Sequence, residues 1–177
     1  KNKYFVVAGR FIERKRINQI INQFNESDIG NLVVLSDVPE SLKLNNKRIS
    51  YLGFLNPESA RYIIANSIGL IHFDRYDWCP NIVINASFDG IPIICSNYGG
   101  TPEIVSNNSY IINEFPFDLP KDIDGINFVK KASFPRQAFK ELIREIWFKE
   151  FIKRPNSDYD IKYTAKSYVD SAKMLLN

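Results

Sequence analysis

The chain is 177 residues long with 45% hydrophobic and 24% charged side chains, which fits one domain with a sizeable core and excludes a disordered chain. A net charge of +3, spread along the sequence and mostly balanced by acids, gives no basic-aromatic face for nucleic acid. No apolar run approaches the roughly 18–20 residues needed to span a bilayer.

The start, Lys1-Asn2-Lys3-Tyr4, leads straight into an apolar stretch without a signal-peptide layout, so the chain reads as a piece of something longer. Tyr4 to Ala8 is a strand-like run ended by Gly9. Ile17, Ile20, Ile21 and Phe24 then recur at helical spacing. Leu32 to Leu35 and Ile49 to Leu52 are further strands, the latter closed by Gly53. Asn56-Pro57-Glu58 is a cap, a first-turn proline and a first-turn acid, opening a helix to about Ser67. Leu70 to Phe73 is a fourth strand. Pro80 starts the first turn of a helix ending near Asp89-Gly90, Pro92 to Cys95 is a fifth strand, and Tyr110 to Ile112 a short sixth. Asn113 to Lys131 lacks a period and reads as loop. Helices follow over Pro135–Phe151 and Asp160–Leu176, the last with a clean apolar stripe.

Strands apolar on both faces, alternating with helices, predict an α/β domain: a doubly wound parallel sheet with C-terminal helices. Ligands of such a domain lie at the carboxyl ends of its strands. Three segments there attract attention. Gly9-Arg10, with Lys15 five residues on, places two cations where they can converge on a diphosphate; a solvated basic loop, Arg14-Lys15-Arg16, is an equal reading. Asp77-Trp78-Cys79-Pro80-Asn81 leads into a helix whose free N–H groups suit an anion, with Asp77 at its mouth and Asn85 one turn past Asn81. Here Asp77 as a helix cap and Asn85 as a buried amide tied to backbone stay open. Asn97-Tyr98-Gly99-Gly100-Thr101-Pro102-Glu103 reads as a flexible turn followed by a helix capped by Thr101, able to bring amides to a phosphate.

His72, the single histidine, is expected to be a core residue hydrogen-bonded to backbone. Neither a Ser-His-Asp nor a Cys-His arrangement emerges, nor a cluster of His, Asp and Glu with metal-ligand spacing. Cys79 and Cys95 form no CxxC and are expected to be buried, reduced thiols of a cytoplasmic protein.

In order and separation, VVAGRFIERKRINQIINQF, ISYLGFLNPESARYIIANSIGLIHF and DWCPNIVINASFDGIPIICSNYGGTPEIV, about residues 4 to 106, resemble the C-terminal domain of family 4 glycosyltransferases, enzymes of the two-domain GT-B architecture. The resemblance implies a Rossmann-like domain that takes part in retaining sugar transfer from a nucleotide-sugar donor, without a metal or other cofactor. It carries the family's diphosphate-binding Arg and Lys onto Arg10 and Lys15, and its phosphate-lining loop onto Gly99, Gly100 and Thr101. The Glu-x7-Glu motif falls on Asp77, toward the donor sugar, and Asn85, toward the ribose. Gly53 and Phe54 match the region beside the base. Asp77 is a methylene shorter than the family's Glu, and Asn85 replaces a carboxylate with an amide. The implied partners are the donor, a glycan or lipid-linked acceptor of polysaccharide biosynthesis, and an N-terminal acceptor domain absent from residues 1–177, without which the domain is expected to transfer nothing. The implied location is cytoplasmic, with peripheral association at the membrane face left open. Two other readings remain: a non-catalytic nucleotide-sugar-binding module, favoured by Asn85, and a GT-B-like nucleotide-sugar epimerase, for which no acid-base residues stand out. A dinucleotide-binding dehydrogenase is disfavoured because no GxGxxG follows the first strand.

Overall fold

Short apolar strands with no polar face must be covered on both sides, and this is how the chain folds. The structure, a computed structural model, describes residues 3–75, 77–114, 134–150, 152, 153 and 166. Strands β1 (Phe5–Ala8), β2 (Leu32–Leu35), β3 (Ile49–Tyr51), β4 (Gly69–His72), β5 (Ile93–Ser96) and β6 (Tyr110–Ile112) form one parallel sheet in the order β3-β2-β1-β4-β5-β6. Each boundary lies within one residue of that expected from the apolar runs.

The period of two along each strand divides the interior into two cores. Phe5, Val7, Ile71 and Ile94 face one core; Val6, Ala8, Leu70, Ile93 and Cys95 face the other. Helix α1 (Ile17–Ser27) closes the first with Ile17, Ile20, Ile21 and Phe24, the set predicted from its spacing. Burying a side chain such as Phe24 contributes about 1.5–3 kcal/mol. Helix α5 (Arg136–Phe148) packs beside α1 through Phe139, Ile143 and Ile146. The second core lies under α2 (Pro57–Ala65), α3 (Asn81–Phe88) and α4 (Thr101–Ile104), which contribute Ile64, Val83, Ala86 and Ile104.

Local chemistry sets the helix ends. Asn56 caps α2, its side chain accepting from Ser59 N at 2.9 Å with Pro57 in the first turn, as predicted. Pro80 is the N-cap of α3, not a first-turn residue: its ψ of 110° is extended and its carbonyl accepts from Val83 and Ile84. Helix α5 stops at Phe148, short of the expected Phe151, because Lys149 turns extended at ψ 150°. Asn113 and Glu114 aside, the expected loop to Lys131 lies outside the described residues, as does the helix over Asp160–Leu176 but for Lys166, which is helical.

The cysteines divide. Cys95 is buried in β5, where burial pushes its thiol up to about 12. Cys79 is exposed, contrary to expectation, because it lies in the bend ahead of Pro80 and not on a core-facing element. Among the described residues no helix is long and apolar enough to cross a membrane.

Candidate functional site

The strand order reverses between β1 and β4, so the loops leaving their carboxyl ends diverge and open a crevice. Gly9 ends β1 at φ +139°, and a Cβ there would stand 2.9 Å from Lys15 Cδ. Glycine thus gives room for the Lys15 stem, which the single 3-10 turn Glu13–Lys15 folds back over the strand end.

The Lys15 ammonium lies 3.0 Å from Asp74 Oδ2 and 3.4 Å from Asp77 Oδ2, bridging the β1 and β4 loops. Arg14 Nη1 donates to the same Asp74 oxygen at 2.6 Å. The two cations that converge are therefore Arg14 and Lys15. Arg10 is exposed and makes no ion pair among the described residues. A solvated basic loop does not describe residues 14–16, since Arg16 is 4% exposed. Asp74, with a side chain 1% exposed, lies at a strand end but was not singled out as a site residue, because it belongs to no motif of its own.

His72 ends β4 and is buried, as expected, but its Nε2 has no hydrogen-bond partner. Burial, with a smaller contribution from Lys15, lowers its pKa to about 4, so the ring is neutral at physiological pH. His72, Asp74 and Asp77 bring potential ligand atoms within 4.8 Å of one another. Their spacing in the sequence matches no ligand motif; the turn after β4 brings them together. The space between the two carboxylates is taken by the ammonium of Lys15.

Asp77 does not cap α3, which has no side-chain cap; its carboxylate faces Lys15. Asn81 and Ile82, the first residues of α3, have N–H groups outside the helix's own ladder. Asn85 is exposed, not a buried amide, and lines a groove with Pro57, Ala60 and Arg61 of α2. Gly53 turns at φ +70°, and Phe54, 61% exposed, donates its backbone N–H to Asp37 Oδ1 at 3.0 Å.

The 97–101 loop differs from its sequence reading. A Cβ on Gly99 would meet the carbonyl oxygens of Arg75, Asp77 and Asp74 at 3.1–3.3 Å, and Gly100 N–H donates to Asp77 O at 3.1 Å. These glycines let two loops press together, and the Gly100 amide is already engaged. Gly100, not Thr101, is the N-cap of α4. Thr101 is the first helical residue, and its hydroxyl is buried without a hydrogen-bond partner.

Beneath the crevice, Arg16 and Arg75 both pair with Glu114, and all three are buried. Sequence reasoning missed this group. Its one signal was an acid, Glu114, two residues past the end of the apolar strand β6.

No known family profile matches the chain. It is 24% identical over 94 residues, 53% of its length, to the O-antigen chain mannosyltransferase B of Escherichia coli, spanning 23% of that protein. Superposition on the GtfA/B complex gives a TM-score of 0.64 at 15% identity, over 99% of this chain and 36% of that one. Superposition on Anabaena Alr3699/HepE, solved in complex with UDP-glucose, gives 0.53 at 14% identity, over 83% and 42%. The fold is the Rossmann-like fold of GT-B glycosyltransferase domains. The chain spans less than half the length of each of these proteins.

Proposed function

We propose that this domain binds a nucleotide-sugar donor and supplies the donor half of a retaining glycosyltransferase, acting on a glycan or lipid-linked acceptor held by another domain. The observation that carries the reading is the Lys15 ammonium held at the switch point between Asp74 and Asp77. A diphosphate offers Lys15 a stronger anion than either carboxylate, and Arg10, exposed just after β1, can add a second cation. The first N–H groups of α3 can donate to the same phosphates.

In the proposed reaction the bond from the sugar's anomeric carbon to the diphosphate oxygen breaks, a bond to the acceptor hydroxyl oxygen forms on the same face, and the hydroxyl's proton passes to the departing phosphate. Lys15 and Arg10 stabilise the charge gathering on the departing diphosphate, which is the work a metal would otherwise do. Once Lys15 turns to the diphosphate, Asp77 is released to meet the sugar hydroxyls. Asn85 then faces the ribose and Gly53-Phe54 the base. The E. coli mannosyltransferase and the UDP-glucose complex among the related proteins support a sugar-nucleotide ligand.

Asn85 favours a second reading, a module that binds the donor without transferring it, because an amide holds ribose hydroxyls less strongly than a carboxylate. Calorimetry with UDP, GDP and ADP, with and without EDTA, tests the donor reading: one of the three should bind, unaffected by chelator. Binding of none rejects it, and binding lost to EDTA rejects metal independence. Donor turnover by the protein together with its acceptor domain separates transferase from module.

A further inference from the structure

The residues that follow the two site residues in the chain meet beneath them. Arg16 follows Lys15 and Arg75 follows Asp74. Both guanidiniums pair with the carboxylate of Glu114: Arg16 Nη1 donates to Oε1 at 2.6 Å, and Arg75 Nη2 donates to Oε2. Arg16, Arg75 and Glu114 are 4%, 5% and 5% exposed. Rings hold the guanidiniums in place, Phe134 at 4.8 Å from Arg16 and Tyr98 at 5.3 Å from Arg75. The Glu114 N–H donates to Asn97 Oδ1 at 2.9 Å, which ties the exit of β6 to the loop ahead of Gly99.

The β1 and β4 loops are thus joined in two places, by Arg14 and Lys15 with Asp74 and Asp77, and by Arg16 and Arg75 through Glu114. The link through Glu114 is the stiffer, because parting it would strand buried charges, whereas Lys15 can leave Asp74 for a ligand while Arg14 stays paired with that carboxylate. Arg16 also holds a left-handed backbone, φ 57°, at the start of α1, so its side chain fixes the residue that sets the direction of Lys15.

We propose that Glu114 is a positioning residue: acting through Arg16 and Arg75, it sets the spacing of Lys15 from Asp74 and Asp77 and so holds the ammonium where a diphosphate can take it up. The ligand named here rests on the donor-site reading; the positioning of Lys15 does not.

Two variants test this, Glu114→Gln, which removes the charge, and Glu114→Asp, which keeps it but is too short to reach both guanidiniums. The second carries the test if the first does not fold. Lysine acylation by an N-hydroxysuccinimide ester, read residue by residue by mass spectrometry on folded protein, should label Lys15 several-fold faster in the variants, with Lys140 as unchanged reference. The best-binding of UDP, GDP and ADP should weaken about tenfold, the effect of one charge-assisted contact, while the matching nucleoside binds as before. Unchanged Lys15 labelling in a folded variant overturns the proposal, as does an equal loss for nucleoside and diphosphate. Faster labelling in a protein that binds none of the diphosphates supports Glu114's role and rejects the donor reading.

Discussion

The α-carbon of Gly100 faces the carbonyl oxygen of Trp78 so closely that a Cβ there would stand 1.8 Å away. The obstacle is backbone, which cannot swing aside as a side-chain end can. Gly100→Ala should therefore displace the loop carrying Asp77 and cost about 1–3 kcal/mol, the usual range for overpacking. Denaturant unfolding measures this, and a variant as stable as the parent would show that the loops are not in contact.

In the proposed donor site Asn85 faces the ribose, where a carboxylate would accept from its hydroxyls. Charge-assisted hydrogen bonds contribute about 1.5–3 kcal/mol and neutral ones about 0.5–1.5, so Asn85→Glu should gain about 1 kcal/mol, or about fivefold in affinity for the nucleoside diphosphate. A 2′,3′-dideoxy ligand should gain little. Equal gains for both ligands would place residue 85 away from the ribose.

His72 gives stability a pH dependence of known sign. Its pKa falls from about 6.5 unfolded to about 4 folded, so between these values the unfolded state binds more protons. The stability linked to its neutrality is complete above about pH 6.5 and drains away as pH falls to about 4, by up to roughly 3 kcal/mol. His72→Asn should flatten unfolding free energy over that window. An identical slope in both proteins would mean that the imidazole titrates normally.

The unequal burial of the thiols has a direct readout. With Cys79 exposed and Cys95 buried, its thiol pushed up to about 12, one thiol per chain should react promptly with a thiol reagent and the second only in denaturant. Two fast thiols, or none, would contradict the placement of these residues.

Much of this architecture was legible because its signals are local. Fully buried parallel strands are bare apolar runs such as Leu32–Leu35, and α1 shows its core face in Ile17, Ile20, Ile21 and Phe24. Lys15 and Asp77, which the structure brings to 3.4 Å of each other, could be singled out through Gly9 and Pro80, whose backbone demands mark the strand exit and the helix entrance. Asp74, Arg75 and Glu114 were not. Arg75 and Glu114 are 39 residues apart, and no local pattern records a pairing across such a gap. The glycines at 99 and 100 were legible as a turn, but their lack of a side chain also serves an approach between two loops, and only the packed structure reveals the opposing surface. Asp77 could not be told from a helix cap until Lys15 was seen beside it.

The central claim is that Lys15 leaves Asp74 and Asp77 for a donor diphosphate. Calorimetric titration of the parent and of Lys15→Ala, with whichever of UDP, GDP or ADP binds best, at low and high salt, tests it most directly. The account predicts that the variant binds about tenfold or more weakly and that its affinity falls less steeply with salt, since one cation is gone. A variant that binds the diphosphate as tightly as the parent, with the same salt dependence, would contradict it.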